Sequence, residues 1–260
     1  MPELPDLQVA SKNLHEQFSG KVLEQFNVQV AKRLTDSEAA LKTALEGKQL
    51  LSVSREGKEL RFHFDRETVL GMHLMLHGEL KTFDGNMLPR FPVVTFHFSD
   101  GTGLALTDFQ KQARVRLNPE QSMVPDALSK EVNAAFLKNA FSARPKSKVK
   151  ALLMDQDVIR GIGNAYADEI LYQACISPFS LAGAIPEVRL KVLARCIKSV
   201  LKGAESQIRK KEPGLISGEI RDFLLIHNAK RGKSPAGKKI LMKKSGGKKT
   251  YYTSEQNEFF

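Results

Sequence analysis

Residues 161–169 read Gly161-Ile162-Gly163-Asn164-Ala165-Tyr166-Ala167-Asp168-Glu169, two glycines followed at once by a run with helical habit. Glycine lets a backbone come close to a phosphate, and a helix starting at Asn164 aims unpaired N–H groups and the positive end of its dipole at an anion. Taken alone, the pattern serves equally well as a helix-to-helix turn with Asn164 as an ordinary N-cap. Its surroundings are helical on both sides. Stretches near 130–142, 147–154, 164–175 and 186–210 repeat their apolar residues every 3.6 positions, and the last opens with Pro186 and places Val188, Val192, Cys196 and Val200 on one face.

Towards the N-terminus the period changes. A first helix is predicted from Leu7, Ala10, Leu14 and Phe18, ending near Ser19-Gly20. From about 50 to 117 the period is two: Leu60, Phe62 and Phe64 alternate with Arg61, His63 and Asp65, and Val94, Phe96 and Phe98 with Thr95, His97 and Ser99. Asp84-Gly85 and Asp100-Gly101 supply the turn chemistry between short antiparallel strands. The expected class is α+β, with a β-sandwich and its leading helix over 1–118, a linker over 119–130 through Asn118-Pro119 and Pro125, a helical domain over 131–228 and a tail over 229–260.

Composition narrows the function. The 260 residues are 42% hydrophobic and 27% charged, which excludes a disordered, collagen-like or coiled-coil chain. A net charge of +11 points to polyanionic partners. No apolar run reaches the ~20 residues that span a bilayer, and MPELPDLQV lacks the pattern of a signal peptide, so the expected location is cytoplasmic and nucleoid-associated. Cys175 and Cys196 are too few for a four-thiolate zinc site, and the six histidines form no ligand spacing, so neither metal nor organic cofactor is expected. The tail holds nine Lys or Arg against Glu255 and Glu258. Its composition suits a disordered basic extension, but Lys239-Ile240-Leu241-Met242 and Thr250-Tyr251-Tyr252-Thr253, parted by Ser245-Gly246-Gly247, favour a β-hairpin.

Pro2 and Glu3 carry the sharpest chemical signal. Trimming of Met1 leaves Pro2 as a free secondary amine with a pKa near ~8, a nucleophile able to form an iminium with an electrophilic carbon. Glu3 beside it suits general acid or base work. The plainer reading is that Pro2 and Pro5 stiffen a helix start.

Four motifs in order, Met1-Pro2-Glu3-Leu4-Pro5, Gly57-Lys58, His73-Leu74 and the 161–169 stretch, resemble those of the formamidopyrimidine-DNA glycosylase and endonuclease VIII family across essentially the whole chain. The resemblance implies an N-terminal two-layer β-sandwich, a helix-two-turn-helix DNA-binding domain and a C-terminal hairpin finger, here the zincless version. It implies a monomeric bifunctional glycosylase and abasic-site lyase that acts on double-stranded DNA containing oxidised bases or abasic sites. In that role Pro2 is the nucleophile, Glu3 the acid/base and Lys58 a phosphate ligand that supports cleavage. Gly163 and Asn164 hold another phosphate, and His73 approaches the duplex.

Some positions depart from the family pattern. The usual second glutamate is Asp6, one methylene shorter, which is expected to weaken or rearrange a relay there. Lys248 stands where the family carries a phosphate-clamping arginine, keeping the charge without the bidentate fork. The residues that fill the gap of an extruded base read Leu76 and Lys111-Gln112, the latter poorer substitutes for an Arg-x-Phe pair. The segment 212–222 is short, which leans the expected preference towards that of endonuclease VIII. The rival expectation is a catalytically weak or inactive paralogue that binds damaged or abasic DNA.

Overall fold

The computed structural model describes residues 1–260 except Arg33, Asn86 and Gly246, and the side chain of Ser245. The chain divides into two compact units, one of residues 1–121 and 208–219, the other of residues 122–207 and 220–260.

The first unit opens with helix α1 (Leu4–Phe18) and continues through β1 (Leu23–Val28), α2 (Glu38–Leu45), β2 (Leu50–Glu56), β3 (Glu59–Phe64), β4 (Val69–His73), β5 (Glu79–Asp84), β6 (Pro92–Phe98), β7 (Thr102–Thr107) and β8 (Arg114–Leu117). The strands form two antiparallel sheets ordered β1-β6-β7-β5 and β2-β3-β4-β8. Strand alternation turns Leu60, Phe62 and Phe64 inward to meet Val94, Phe96 and Phe98, and Phe62 stacks on Phe96 across the two sheets at 5.7 Å. Phe18 at the end of α1 closes this core against Phe98, 5.2 Å between ring centroids. Each such fully buried ring or leucine contributes on the order of 1.5–3 kcal/mol. The strand β1 and helix α2 arise in a stretch whose sequence shows neither period clearly. Ser37 caps α2 by accepting the Ala40 N–H at 3.2 Å.

The second unit contains α3 (Ala134–Ala143), α4 (Val149–Met154), α5 (Asn164–Gln173) and most of α6 (Glu187–Lys211), then β9 (Leu241–Ser245) and β10 (Lys248–Tyr252). The four helices lie where the apolar period places them, but the stripe read on α6 is corrected: Val188 is 66% exposed, and the helix buries Leu190, Leu193, Ile197 and Leu201 instead. Strands β9 and β10 pair antiparallel from Ser245↔Lys248 to Leu241↔Tyr252. Of the turn read as Ser245-Gly246-Gly247, Gly246 lies outside the described residues. After the hairpin the chain is stitched back into its own unit: the Ser177 N–H donates to Asn257 O at 2.7 Å, the Leu181 N–H to Phe259 O at 2.8 Å, and Gln256 Nε2 to Ile176 O at 2.8 Å. Among the described residues no helix is long and apolar enough to cross a membrane.

Candidate active site and nucleic-acid interface

In the first unit Pro2 and Glu3 are buried, and Glu3 is the N-cap of α1. The cap is reciprocal: the Glu3 carboxylate accepts the Asp6 N–H, and Asp6 Oδ2 accepts the Glu3 N–H at 2.9 Å. This capping box fixes the backbone at Glu3 and the entry of Pro2. Asp6 is thereby engaged in holding the helix start.

Pro2 lines a cavity of about 400 Å³ together with Leu76, Gly78, Arg90, Phe91, Phe109 and Glu219. The Met1 ammonium sits at the same place, 3.5 Å from Glu219 Oε1. Three loops build the walls. In the first, after β4, Met75 takes φ +58° and its N–H donates to His73 Nδ1 at 3.0 Å. The Gly78 N–H donates to Leu74 O at 2.8 Å. A Cβ at Gly78 would stand 2.1 Å from that oxygen, so the turn admits glycine alone. Leu76, at its tip, is 59% exposed.

The second loop, 108–113, is organised by Asp108, which is buried. Its Oδ1 accepts the Gln110 N–H at 2.8 Å, and its Oδ2 accepts those of Gln112 and Ala113 at 2.7 and 2.8 Å. Lys111 is exposed at φ +55°, and Phe109 lays its half-exposed ring 4.7 Å from that of His77. In the third loop Phe91 takes φ +59°, and its carbonyl accepts the Asp108 N–H at 2.9 Å.

Lys58 sits in the two-residue turn between β2 and β3, where Gly57 supplies φ +56°. Burial, followed by the charges of Lys58 and Arg114, holds His73 below the usual imidazole range. His73 is therefore neutral at pH 7, as its role of acceptor for Met75 requires. Lys58 and Arg114 thus form a cationic neighbourhood around neutral His73, with Glu59 beside His73 and Arg114 in the wall of a cavity of about 270 Å³.

The second unit holds the remaining residues singled out from the sequence. Gly163 is the N-cap of α5 and Asn164 its first helical residue, so glycine rather than asparagine takes the cap. Asn164 Nδ2 donates to Lys249 O at 3.0 Å, joining the start of α5 to the hairpin. Lys248 is exposed and lines a cavity of about 420 Å³ with Lys148, Lys150, Phe179 and Thr250.

Residues 229–260 contain no cysteine, and among the described residues no group of three or more His, Cys, Asp or Glu is placed to hold a metal ion. The hairpin is fastened by polar groups. Asp168, fully buried on α5, accepts Lys150 Nζ at 2.7 Å and the Tyr251 N–H at 2.9 Å, and meets His227 Nδ1 at 2.8 Å. Its neighbour Glu169 accepts the N–H groups of Leu225, Ile226 and His227 at 2.7 to 2.9 Å. Burial pushes the Glu169 carboxyl up against these three bonds. Apolar burial adds only part of the hold: Tyr251 is 9% exposed, but Met242 on the facing strand is 51% exposed. A two-stranded ribbon has too little area to bury both of its faces.

The N-terminal domain of formamidopyrimidine-DNA glycosylase matches residues 1–115, and the H2TH domain of the same enzyme matches residues 123–213. Among curated relatives, the formamidopyrimidine-DNA glycosylase of Pelotomaculum thermopropionicum is 31% identical over 97% of both chains. That of Cytobacillus firmus is 32% identical over 78% of both. The chain belongs to the formamidopyrimidine-DNA glycosylase family. The family fold extends over the whole chain: the Lactococcus lactis enzyme, solved non-covalently bound to DNA containing an abasic site, superposes with a TM-score of 0.86 at 22% identity, covering 99% of this chain and 100% of that one.

Proposed function

We propose that the chain is a bifunctional DNA glycosylase and abasic-site lyase for oxidised bases in double-stranded DNA, acting in the nucleoid as a monomer. The observation that carries the reading is Pro2, buried beside Glu3 in the wall of a cavity, in a chain that matches the family along both units. Relatives named as glycosylases favour this over an inactive binder of damaged DNA.

The chemistry begins with removal of Met1, because the nitrogen of Pro2 is an amide until then. The freed amine attacks C1′ of the damaged nucleotide, and the C1′–N bond breaks as the base departs with a proton. Glu3 protonates O4′ as the C1′–O4′ bond opens, leaving an iminium between Pro2 and C1′. Loss of a C2′ proton expels the 3′ phosphate, loss of a C4′ proton expels the 5′ phosphate, and water releases Pro2. Lys58 and Arg114 hold phosphate in the first unit, where neutral His73 contributes no charge. Leu76 and Lys111 face the duplex. In the second unit the start of α5, from its N-cap Gly163 to Asn164, holds the backbone together with Lys248.

Borohydride trapping on an abasic duplex tests the reading. Processed protein gives a stable covalent adduct, and protein with Met1 in place does not. Equal trapping by the two forms removes Pro2 from the mechanism, and no trapping by processed protein favours the binder. A panel of duplexes, each with one defined lesion, then orders the substrate preference.

A further inference from the structure

Seven non-glycine residues of the described chain have positive φ, and three of them, Met75, Phe91 and Lys111, fall on the three loops that wall the Pro2 cavity. Backbone strain of this kind costs of order 1–3 kcal/mol per residue and persists where surrounding structure holds it. Here the holding groups are visible. Asp108 gives its N–H to Phe91 O and takes the N–H groups of Gln110, Gln112 and Ala113, so one buried carboxylate and its own amide set two loops at once. The outcome is the exposure of two phenyl rings at the cavity, Phe91 at 59% and Phe109 at 57%, on a chain of net charge +11. Rings of this size normally leave water. Arg90 lines the cavity beside them.

We propose that Phe91 and Phe109 are stacking surfaces for nucleobases at the Pro2 cavity, and that Asp108 is the positioning residue that presents both. The inference rests on the reading of the chain as a DNA glycosylase. An enzyme acting on a base in a duplex extrudes it, and stacks and hydrogen-bonds it in the pocket. A phenyl face accepts any flat base and a basic rim draws in the strand, whereas Lys111 and Gln112 offer no apolar face. The arrangement therefore selects planar oxidised bases over ring-saturated ones, which have no flat face to stack, and Arg90 adds donors for their carbonyl oxygens.

The test is single-turnover base removal on duplexes carrying one planar or one ring-saturated lesion, run beside borohydride trapping of a preformed abasic duplex. Base–aromatic stacking has the strength to change the rate by about tenfold. Phe109→Ala and Phe91→Gly should each slow excision of the planar lesion by about that factor more than they slow trapping, and Phe109→Leu should recover part of the loss. Phe91→Gly also relieves the positive φ, so its thermal midpoint should equal or exceed that of the parent, which separates a stacking role from a folding one. Met87→Ala, in the same loop as Phe91 and 85% exposed, serves as the control and should match the parent. The proposal is overturned if the parent traps and excises but both phenylalanine variants excise the planar lesion at the parent rate, or lose both lesions equally. Failure of the processed parent to trap overturns the glycosylase reading itself.

Discussion

Lys150 Nζ lies 2.7 Å from Asp168 Oδ1, with the two side chains 8% and 0% exposed, and the same lysine donates to Thr250 Oγ1 at 2.8 Å. One buried ion pair thus ties α4 to α5 and both to the hairpin strand. Two charges removed from water stabilise only when their hydrogen bonds are complete, and removing one partner costs more than the pair contributes. Asp168→Ala should therefore destabilise the protein by about 3–5 kcal/mol, whereas Lys150→Met with Asp168→Leu should recover much of the loss. Thermal unfolding of the three proteins checks this. Chelators should leave parent stability and DNA binding unchanged.

His73 links pH to the Leu76 loop. Its folded pKa lies below the ordinary 6.5, chiefly through burial and then through Lys58 and Arg114, so the unfolded chain binds its proton more readily. The contribution is fully present above pH 6.5 and is lost as pH falls through the lowered folded value. Protonation also takes away the acceptor for the Met75 N–H. Stability should drop more steeply between about pH 7 and 5 in the parent than in His73→Asn, whose Oδ1 can accept the same N–H and does not titrate. Parallel slopes in melting experiments across that range would falsify the linkage.

The capping box at the N-terminus allows a narrow prediction. Asp6→Ala removes the acceptor of the Glu3 N–H and should cost about 1 kcal/mol, with slower base removal because Glu3 and Pro2 lose their fixed entry. Asp6→Asn keeps an acceptor and should stay close to the parent. Glu3→Gln should abolish base removal with DNA binding largely kept. Excision at the parent rate by Glu3→Gln would remove its acid/base role.

Much of this was legible in the sequence because period and turn chemistry are local. Leu60, Phe62 and Phe64 announce a strand wherever they occur, and the four helices of the second unit follow their apolar spacing. The order of Pro2, Lys58, His73 and Asn164 carried the family. What escaped was set by partners distant in the chain. Asp168 reads as an ordinary helix residue until Lys150, His227 and Tyr251 are folded around it. Nothing local marks Phe109 as a ring that Asp108 turns outward, or Asp6 as a cap beyond its place three residues after Glu3.

Gly78 provides a test of the cavity wall. A methyl group added there would stand only 2.1 Å from Leu74 O, so Gly78→Ala must open the turn that carries Leu76. Backbone oxygen cannot rotate aside as a side chain can, so a loss of about 1–3 kcal/mol is expected, together with slower excision. A melting temperature equal to the parent's would mean that the loop opens without cost.

The basic tail yields the last prediction. Its end is stitched to residues 176–181, so truncation after Asn228 removes part of the second unit along with the charge. A cleaner experiment replaces Lys243, Lys244, Lys248 and Lys249 with glutamine, since these lysines lie on the hairpin strands and are exposed. If they contact phosphates, each lost contact lowers the slope of log affinity against log salt by about 0.9. The quadruple variant should bind duplex DNA more weakly at low salt, converge on the parent at high salt and keep its melting temperature. Restoring charge elsewhere, for example by lysines at exposed positions of α2, separates two accounts of the tail. Recovery of affinity without excision supports an ordered grip by the hairpin, because charge alone then attracts DNA without setting its register. Recovery of both refutes that grip and leaves only the net charge as the contribution of these lysines.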